Sequence, residues 1–209
     1  MVATDVEQRL ADALARLGAP ADAEQIARLL AYLQLLQKWN RAYNLTSITE
    51  TDDMIVRHLL DSAVALPFVH GPRVLDAGTG AGLPGIVLAI LQPKLQIWLL
   101  DSVDKKVRFL NQAKIELGLA NVTPVHARLE TWRDAPVFDT IVSRALSSLA
   151  DFVDLCSRFL APGGQLVAMK GKRPDEEIAA LPPGWTPGAV VPLAVPGLDA
   201  ERHLVVLEH

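Results

Sequence analysis

The residues best placed to do chemistry form one turn: Asp76-Ala77-Gly78-Thr79-Gly80-Ala81-Gly82-Leu83-Pro84-Gly85. Three glycines at alternate positions exceed what a tight turn needs. They let a backbone approach a ligand closely, and the start of a following helix offers that ligand a positive end. Gly80-x-Gly82-x-x-Gly85 fits a dinucleotide fingerprint. Two residues argue against a pyrophosphate, however. Asp76 would set a negative charge against it, and Pro84 removes a backbone donor where one is wanted. S-adenosylmethionine carries an ammonium and a sulfonium and no phosphate, so it suits Asp76, Gly78 and Gly80 better. Asp101, 25 residues after Asp76, is placed to accept hydrogen bonds from both hydroxyls of a ribose. That favours a nucleoside cofactor without separating S-adenosylmethionine from NAD. Leu129 and Glu130, after a third apolar run, stand where an adenine would sit.

Ser143-Arg144-Ala145-Leu146 follows a fourth run and would face a transferred methyl group. It lacks the Asn/Asp-Pro-Pro-aromatic pattern common in enzymes that methylate exocyclic amines. The single cysteine, Cys156, lies beside Leu155 in an apolar helix and reads as core rather than as the nucleophile that carbon methylation of pyrimidines requires. What remains is a target atom that is already nucleophilic, such as a ring nitrogen.

The elements that must position these residues fall into two parts. Residues 1–70 read as helices. The first spans about Val6 to Leu17. The second carries Ile26, Leu29, Leu30, Leu33 and Leu36 at helical spacing. A third begins near Thr49 or Thr51, with an apolar face of Ile55, Leu59, Leu60 and Ala63, and stops at Pro67. From residue 71 to 209, apolar runs alternate with helical segments. Strands are expected at Arg73–Asp76, Gln96–Asp101, Val122–His126, Thr140–Val142, Gln165–Lys170 and His203–Glu208, and a short one near Ala189–Val191. Helices are expected at Leu83–Leu91, Val103–Leu117, Ser147–Leu160 and Pro174–Leu181. This alternation predicts a parallel sheet with helices on both faces, its glycine turn at the ligand-binding carboxyl edge.

Composition limits the partners. With 50% hydrophobic and 21% charged residues among 209, the chain can bury about 70% of its unfolded surface without a metal or disulfide. One cysteine excludes an intramolecular disulfide and points to a reducing cytoplasm. No apolar run reaches a membrane-spanning length, and the first residues lack a signal-peptide pattern. The net charge of −4 excludes a globally basic nucleic-acid coat. Two local basic clusters remain: Lys170-Gly171-Lys172-Arg173 at the carboxyl edge and Lys105-Lys106-Val107-Arg108 in a helix. Each is a phosphate contact or a solvated face. His58 and Asp61, three apart, either pair with each other or link the helical layer to the site.

Four motifs in order, Tyr43-Asn44-Leu45-Thr46, Arg57-His58-Leu59-Leu60-Asp61-Ser62, the glycine turn and Val142-Ser143-Arg144-Ala145, make the chain resemble the RsmG (glucose-inhibited division protein B) family from about residue 30 to about residue 175. The resemblance implies a Rossmann-like class I methyltransferase with a seven-stranded, mostly parallel sheet and an N-terminal helical layer. It implies S-adenosylmethionine as cofactor and N7 of guanine 527 in 16S ribosomal RNA as target, with the free RNA or the 30S particle as partner. Position by position, it implies cofactor contacts at Gly78, Leu83, Leu129, Glu130 and Arg144. Asp76, Gly80 and Asp101 join these from the argument above, and Lys170, Lys172, Arg173, Arg144 and His58 are the RNA candidates. Guanine N7 needs no deprotonation, so no general base is expected. No metal site is expected, and the protein is expected to be a cytoplasmic monomer. A methyltransferase acting on another RNA, a protein or a small molecule, and more remotely an NAD-dependent oxidoreductase, are the alternatives.

Overall fold

A computed structural model describes residues 4–144 and 148–209. Seven strands form one sheet: β1 Arg73–Ala77, β2 Gln96–Asp101, β3 Val122–His126, β4 Phe138–Ser143, β5 Leu160–Lys170, β6 Thr186–Pro192 and β7 His203–Glu208. Their order is β3-β2-β1-β4-β5-β7-β6. Strands β1 to β5 pair in parallel, and β7 runs antiparallel between β5 and β6. The order reverses between β1 and β4, and the crevice at such a reversal is where ligands bind in doubly wound sheets.

Side chains alternate across the sheet, as a strand buried on both faces requires. Val74, Ile97, Leu99, Val167, Leu204 and Val206 join the core on one face. Leu75, Leu100, Leu166, Ala168, Val205 and Leu207 join the core on the other. The first core also holds the helical layer: α1 Asp5–Arg16, α2 Ala23–Tyr43, and the segment of α3 Thr51–Met54, a π-helical turn Ile55–Leu60 and α4 Asp61–Ala63. With them pack α5 Gly85–Leu91 and α6 Asp104–Glu116. The second face is covered by α7 Leu149–Cys156, and α8 Asp175–Ala179 lies next to it. Both long N-terminal helices start in capping boxes, Thr4 with Glu7 and Asp22 with Gln25, which satisfy two orphan backbone donors reciprocally. Gln25 then donates to the carbonyls of Ile90 and Leu91 at 2.9 and 3.0 Å, closing the end of α5.

Strands β2, β3 and β7 match their expected limits. β6 is longer than the expected Ala189–Val191 because its antiparallel partner β7 carries it past the flanking prolines. Helices α5 and α8 are shorter than expected. The helix expected from Ser147 is described from Leu149, with Ser148 as its N-cap; Ser147 lies outside the described residues. The third N-terminal helix departs most. Its π-helical turn shifts the buried face, so Met54 (0% exposed) and His58 (3%) are buried along with Leu59, Leu60 and Ala63, while Ile55 is half-buried. The helix ends at Ala63, and Pro67 sits within a separate 3-10 turn, Leu66–Phe68.

Candidate active site

The glycine turn is held from beneath by two buried aspartates. Asp76, at the end of β1, is fully buried; its Oδ2 accepts from the Thr79 hydroxyl at 2.5 Å and from Gly85 N–H at 2.7 Å. Its Oδ1 is buried with no hydrogen-bond partner among the described residues. Burial raises the carboxyl to about 6, against the opposing pull of the Thr79 and Gly85 hydrogen bonds and of Arg144. Asp101, at the end of β2, is 5% exposed and accepts from Gly80 N–H at 3.0 Å, Val103 N–H at 2.9 Å and Lys106 Nζ at 3.2 Å. Above them the Tyr32 hydroxyl of α2 donates to the Ala81 carbonyl at 2.8 Å, tying the helical layer to the turn. Gly85 must be glycine, because a Cβ there would lie 2.2 Å from Leu99 Cδ2 and 2.7 Å from Asp76 Oδ2.

These contacts shape a cleft of about 330 Å³ at the carboxyl ends of β1, β2 and β3. Gly78, Asp101, Lys106, Leu129 and Glu130 are among its lining residues. Gly78 is exposed at φ +70°, a left-handed conformation that favours glycine. Of the expected cofactor residues, the structure thus brings together Gly78, Asp101, Leu129 and Glu130. Asp76 and Gly80 support the turn rather than line this cleft, and Leu83 is buried in the larger core. The expectation for Asp101 is narrowed. A carboxylate accepts about four hydrogen bonds, and three donors are already present. It has room for about one ribose hydroxyl, not two, unless Lys106 moves aside.

A second cavity, of about 350 Å³, opens on the same carboxyl edge between the π-helical turn and the ends of β4, β5 and β7. Arg57, His58, Asp61, Arg144, Lys170 and Arg202 line it, with Ile48, Met169 and Gly171. Arg144, expected at both the cofactor and the RNA, lines this cavity: its guanidinium donates to the Arg57 carbonyl at 2.9 Å and stands 3.7 Å from Asp61 Oδ2. Ala145 and Leu146 lie outside the described residues. His58 and Asp61 do not pair with each other in this structure. His58 Nε2 hydrogen-bonds the Thr46 hydroxyl at 3.0 Å, and Thr46 is fixed by two hydrogen bonds with the Asn40 amide, each 2.9 Å. Burial and the nearby Arg144 charge lower the His58 imidazole to about 4, so it is neutral at pH 7. Its Nδ1 has no partner among the described residues. Asp61, 4% exposed, instead binds Arg202 Nε at 2.7 Å across 141 residues of sequence.

The basic clusters are less free than their sequences suggest. Lys170 pairs with Glu177 at 2.8 Å and Arg173 with Asp175 at 2.7 Å, so the first turn of α8 offsets much of this edge. Lys172 and Arg173 are exposed and are not among the residues lining either cavity. Lys105 donates to the Tyr43 carbonyl, Lys106 pairs with Asp101 and Arg108 with Asp104. Cys156 is buried as expected, and burial pushes its thiol up to about 12. Sequence reasoning missed Arg202 altogether, since an arginine before a last strand carries no local signal. It also missed Thr46 as the partner of His58, although both lie in the motifs quoted above.

Strand order, the glycine turn and the cleft at the reversal point together define a class I methyltransferase. Among solved structures of this fold, the chain resembles a SAM-dependent methyltransferase from Aquifex aeolicus (TM-score 0.59, 20% identity, covering 78% of this chain and 96% of that one). It also resembles the glycopeptide N-methyltransferase MtfA complexed with S-adenosylmethionine (TM-score 0.60, 14% identity, 72% and 93%). The sequence model of the family described as rRNA small subunit methyltransferase G matches residues 25–205, and the chain belongs to that family. Relatives named ribosomal RNA small subunit methyltransferase G include one from Azoarcus sp., 51% identical over 99% of this chain and 98% of its own length. Another, from Chromohalobacter salexigens, is 55% identical over 96% of each chain.

Proposed function

We propose that the protein methylates N7 of guanine 527 in 16S ribosomal RNA, using S-adenosylmethionine. The observation that carries this reading is a glycine-turn cleft sharing one sheet edge with a cation-lined cavity, in a chain about half identical to the named relatives. The donor set fits the cofactor. An unpartnered buried carboxylate oxygen on Asp76 and the carboxylate of Asp101 favour a cationic ligand bearing hydroxyls, and disfavour a pyrophosphate. Gly78, Asp101, Leu129 and Glu130 would hold it directly, with Asp76, Gly80 and Leu83 supporting the turn. When bound, it supplies an electrophilic methyl group on a sulfonium.

The chain's own residues then orient and exclude water. Guanine N7 carries an exposed lone pair, so no side chain has to remove a proton, and neutral His58 is not needed as a base. Arg144, Lys170 and His58 wall the RNA side, and Lys172 and Arg173 extend it to flanking phosphates. The free RNA or the 30S particle is the partner. No described helix is long and apolar enough to cross a membrane, and we place the enzyme in the cytoplasm as a monomer. Residues 71–209 are taken as the methyltransferase domain and residues 1–70 as its helical extension. Mapping modified nucleotides in ribosomal RNA from a strain lacking the gene tests this. N7 methylation at guanine 527 should vanish and return on complementation; an unchanged site would overturn the reading.

A further inference from the structure

We propose that the second cavity receives the target nucleotide, and that Asp61 selects guanine by accepting hydrogen bonds from its N1–H and its N2 amino group. The proposal rests on the function inferred above and deepens it. The cavity lining carries four cationic side chains, Arg57, Arg144, Lys170 and Arg202, and a buried histidine. Asp61 is the only carboxylate among the described lining residues. Cations suit the phosphates of a nucleotide but do not tell one base from another. Guanine alone among the RNA bases presents two adjacent donors on its Watson–Crick edge, and a carboxylate presents two adjacent acceptors. Adenine presents the lone pair of N1 at the same place, which would leave a buried carboxylate facing an acceptor. Enzymes that act on extruded bases read this edge.

The placement of Asp61 agrees with this role. Arg202 Nε binds Oδ1 at 2.7 Å, while Oδ2 is 3.7 Å from Arg144, beyond hydrogen-bond length. Two guanidinium groups therefore fix the carboxylate while leaving lone pairs on both oxygens. Arg144 follows β4, and Arg202 precedes β7, whose first residue His203 pairs with Lys170 at the end of β5. Asp61 thus sits on the β4–β5–β7 side of the edge, away from the cleft at β1 to β3. A purine presenting N7 toward that cleft turns its N1 and N2 edge the other way, toward Asp61. Methylation at N7 also leaves the base positively charged, and among four cations one carboxylate offsets that charge.

The test compares reconstituted small-subunit particles carrying guanine or inosine at the target position. Inosine keeps N7 and N1–H and lacks the N2 amino group. We expect wild-type protein to methylate the inosine particle with kcat/KM about 10- to 100-fold lower, the effect of losing a hydrogen bond to a buried charged acceptor. Asp61→Asn should lower activity on guanine and narrow the guanine-to-inosine ratio to about threefold or less, with calorimetric affinity for S-adenosylmethionine unchanged. A ratio that stays the same in Asp61→Asn would overturn the proposal, reducing Asp61 to a positioning residue for Arg144 and Arg202. Should that variant not fold, the wild-type ratio decides alone, and equal rates on the two particles overturn the proposal. Failure of wild-type protein to methylate either particle would instead overturn the functional reading beneath it.

Discussion

The cleft and the cavity share one sheet edge but are built differently. The cleft is bordered by the ten-residue glycine turn, whose Gly78 lines it beside residues from the ends of β2 and β3, and Asp76 and Asp101 hold that turn through the N–H groups of Gly85 and Gly80. The cavity is lined from five separate stretches of sequence, joined where Arg202 meets Asp61 and where Arg144 meets the Arg57 carbonyl. A turn braced through its own backbone N–H groups is fixed once it forms, and it suits a cofactor that never varies. A charge network depends on each of its members, and it can be tuned to one RNA base. The two should therefore fail independently when mutated.

The largest effect should come from Gly78→Val. The valine must adopt φ near +70° on the cleft lining, so affinity for S-adenosylmethionine should fall by about 100-fold, combining backbone strain with a blocked approach. RNA affinity should change little, and the strain should cost about 1–2 kcal/mol of stability; calorimetry and a melting curve separate these readouts. Next is Arg202→Ala, which leaves the Asp61 carboxylate without its short partner. Arg202 is about a quarter exposed, so we expect about 1.5–3 kcal/mol of lost stability, the range for a hydrogen bond to a charged group. Methylation should drop while cofactor affinity holds; weakened cofactor binding would break the separation of the two regions. Asp101→Ala should cost about 1–2 kcal/mol of cofactor affinity. The loss should be smaller with a 2′,3′-dideoxy analogue, because part of the wild-type contact is then already gone. Equal losses would assign Asp101 to turn support through Gly80 alone.

The smallest effect is a pH dependence. His58 titrates near 6.5 when unfolded and at about 4 when folded, so the unfolded chain binds more protons between these values. Its contribution to stability is complete above pH 6.5 and is lost as pH falls toward 4. Asp76 acts in the opposite sense. Its folded value of about 6 lies above the unfolded one, so its contribution is present below pH 4 and is lost as pH rises through 6. The difference between wild type and His58→Gln isolates the histidine. Urea unfolding at pH 7 and pH 5 should show wild type losing more stability than the variant; equal losses would mean that His58 is protonated in the fold.

The same contrast decides what the sequence makes legible. The glycine turn and Asp101 are readable because the turn is contiguous and the second aspartate ends the next strand, where apolar runs and turn residues mark the limits. Strands β2, β3 and β7 are recovered to the residue for that reason. The cavity is only half readable. His58, Asp61 and Arg144 stand out as polar residues within apolar stretches, but their partners depend on tertiary structure. The π-helical turn, which buries His58 with Leu59, leaves no mark in a 3.6-residue pattern. Lys170 to Arg173 reads as a basic edge, although Asp175, Glu176 and Glu177 follow within a few residues and two of them pair with it. That correction was available in the sequence as a charge count over a slightly wider window.

The most direct test of the central claim is methyl transfer from labelled S-adenosylmethionine by purified protein to 30S particles from a strain lacking the gene, with the labelled nucleotide mapped by chemical cleavage at 7-methylguanine. Incorporation should approach one methyl group per particle, at N7 of guanine 527, with none into particles that already carry it. Label at another atom or nucleotide, or no label in RNA while the cofactor still binds, would contradict the account.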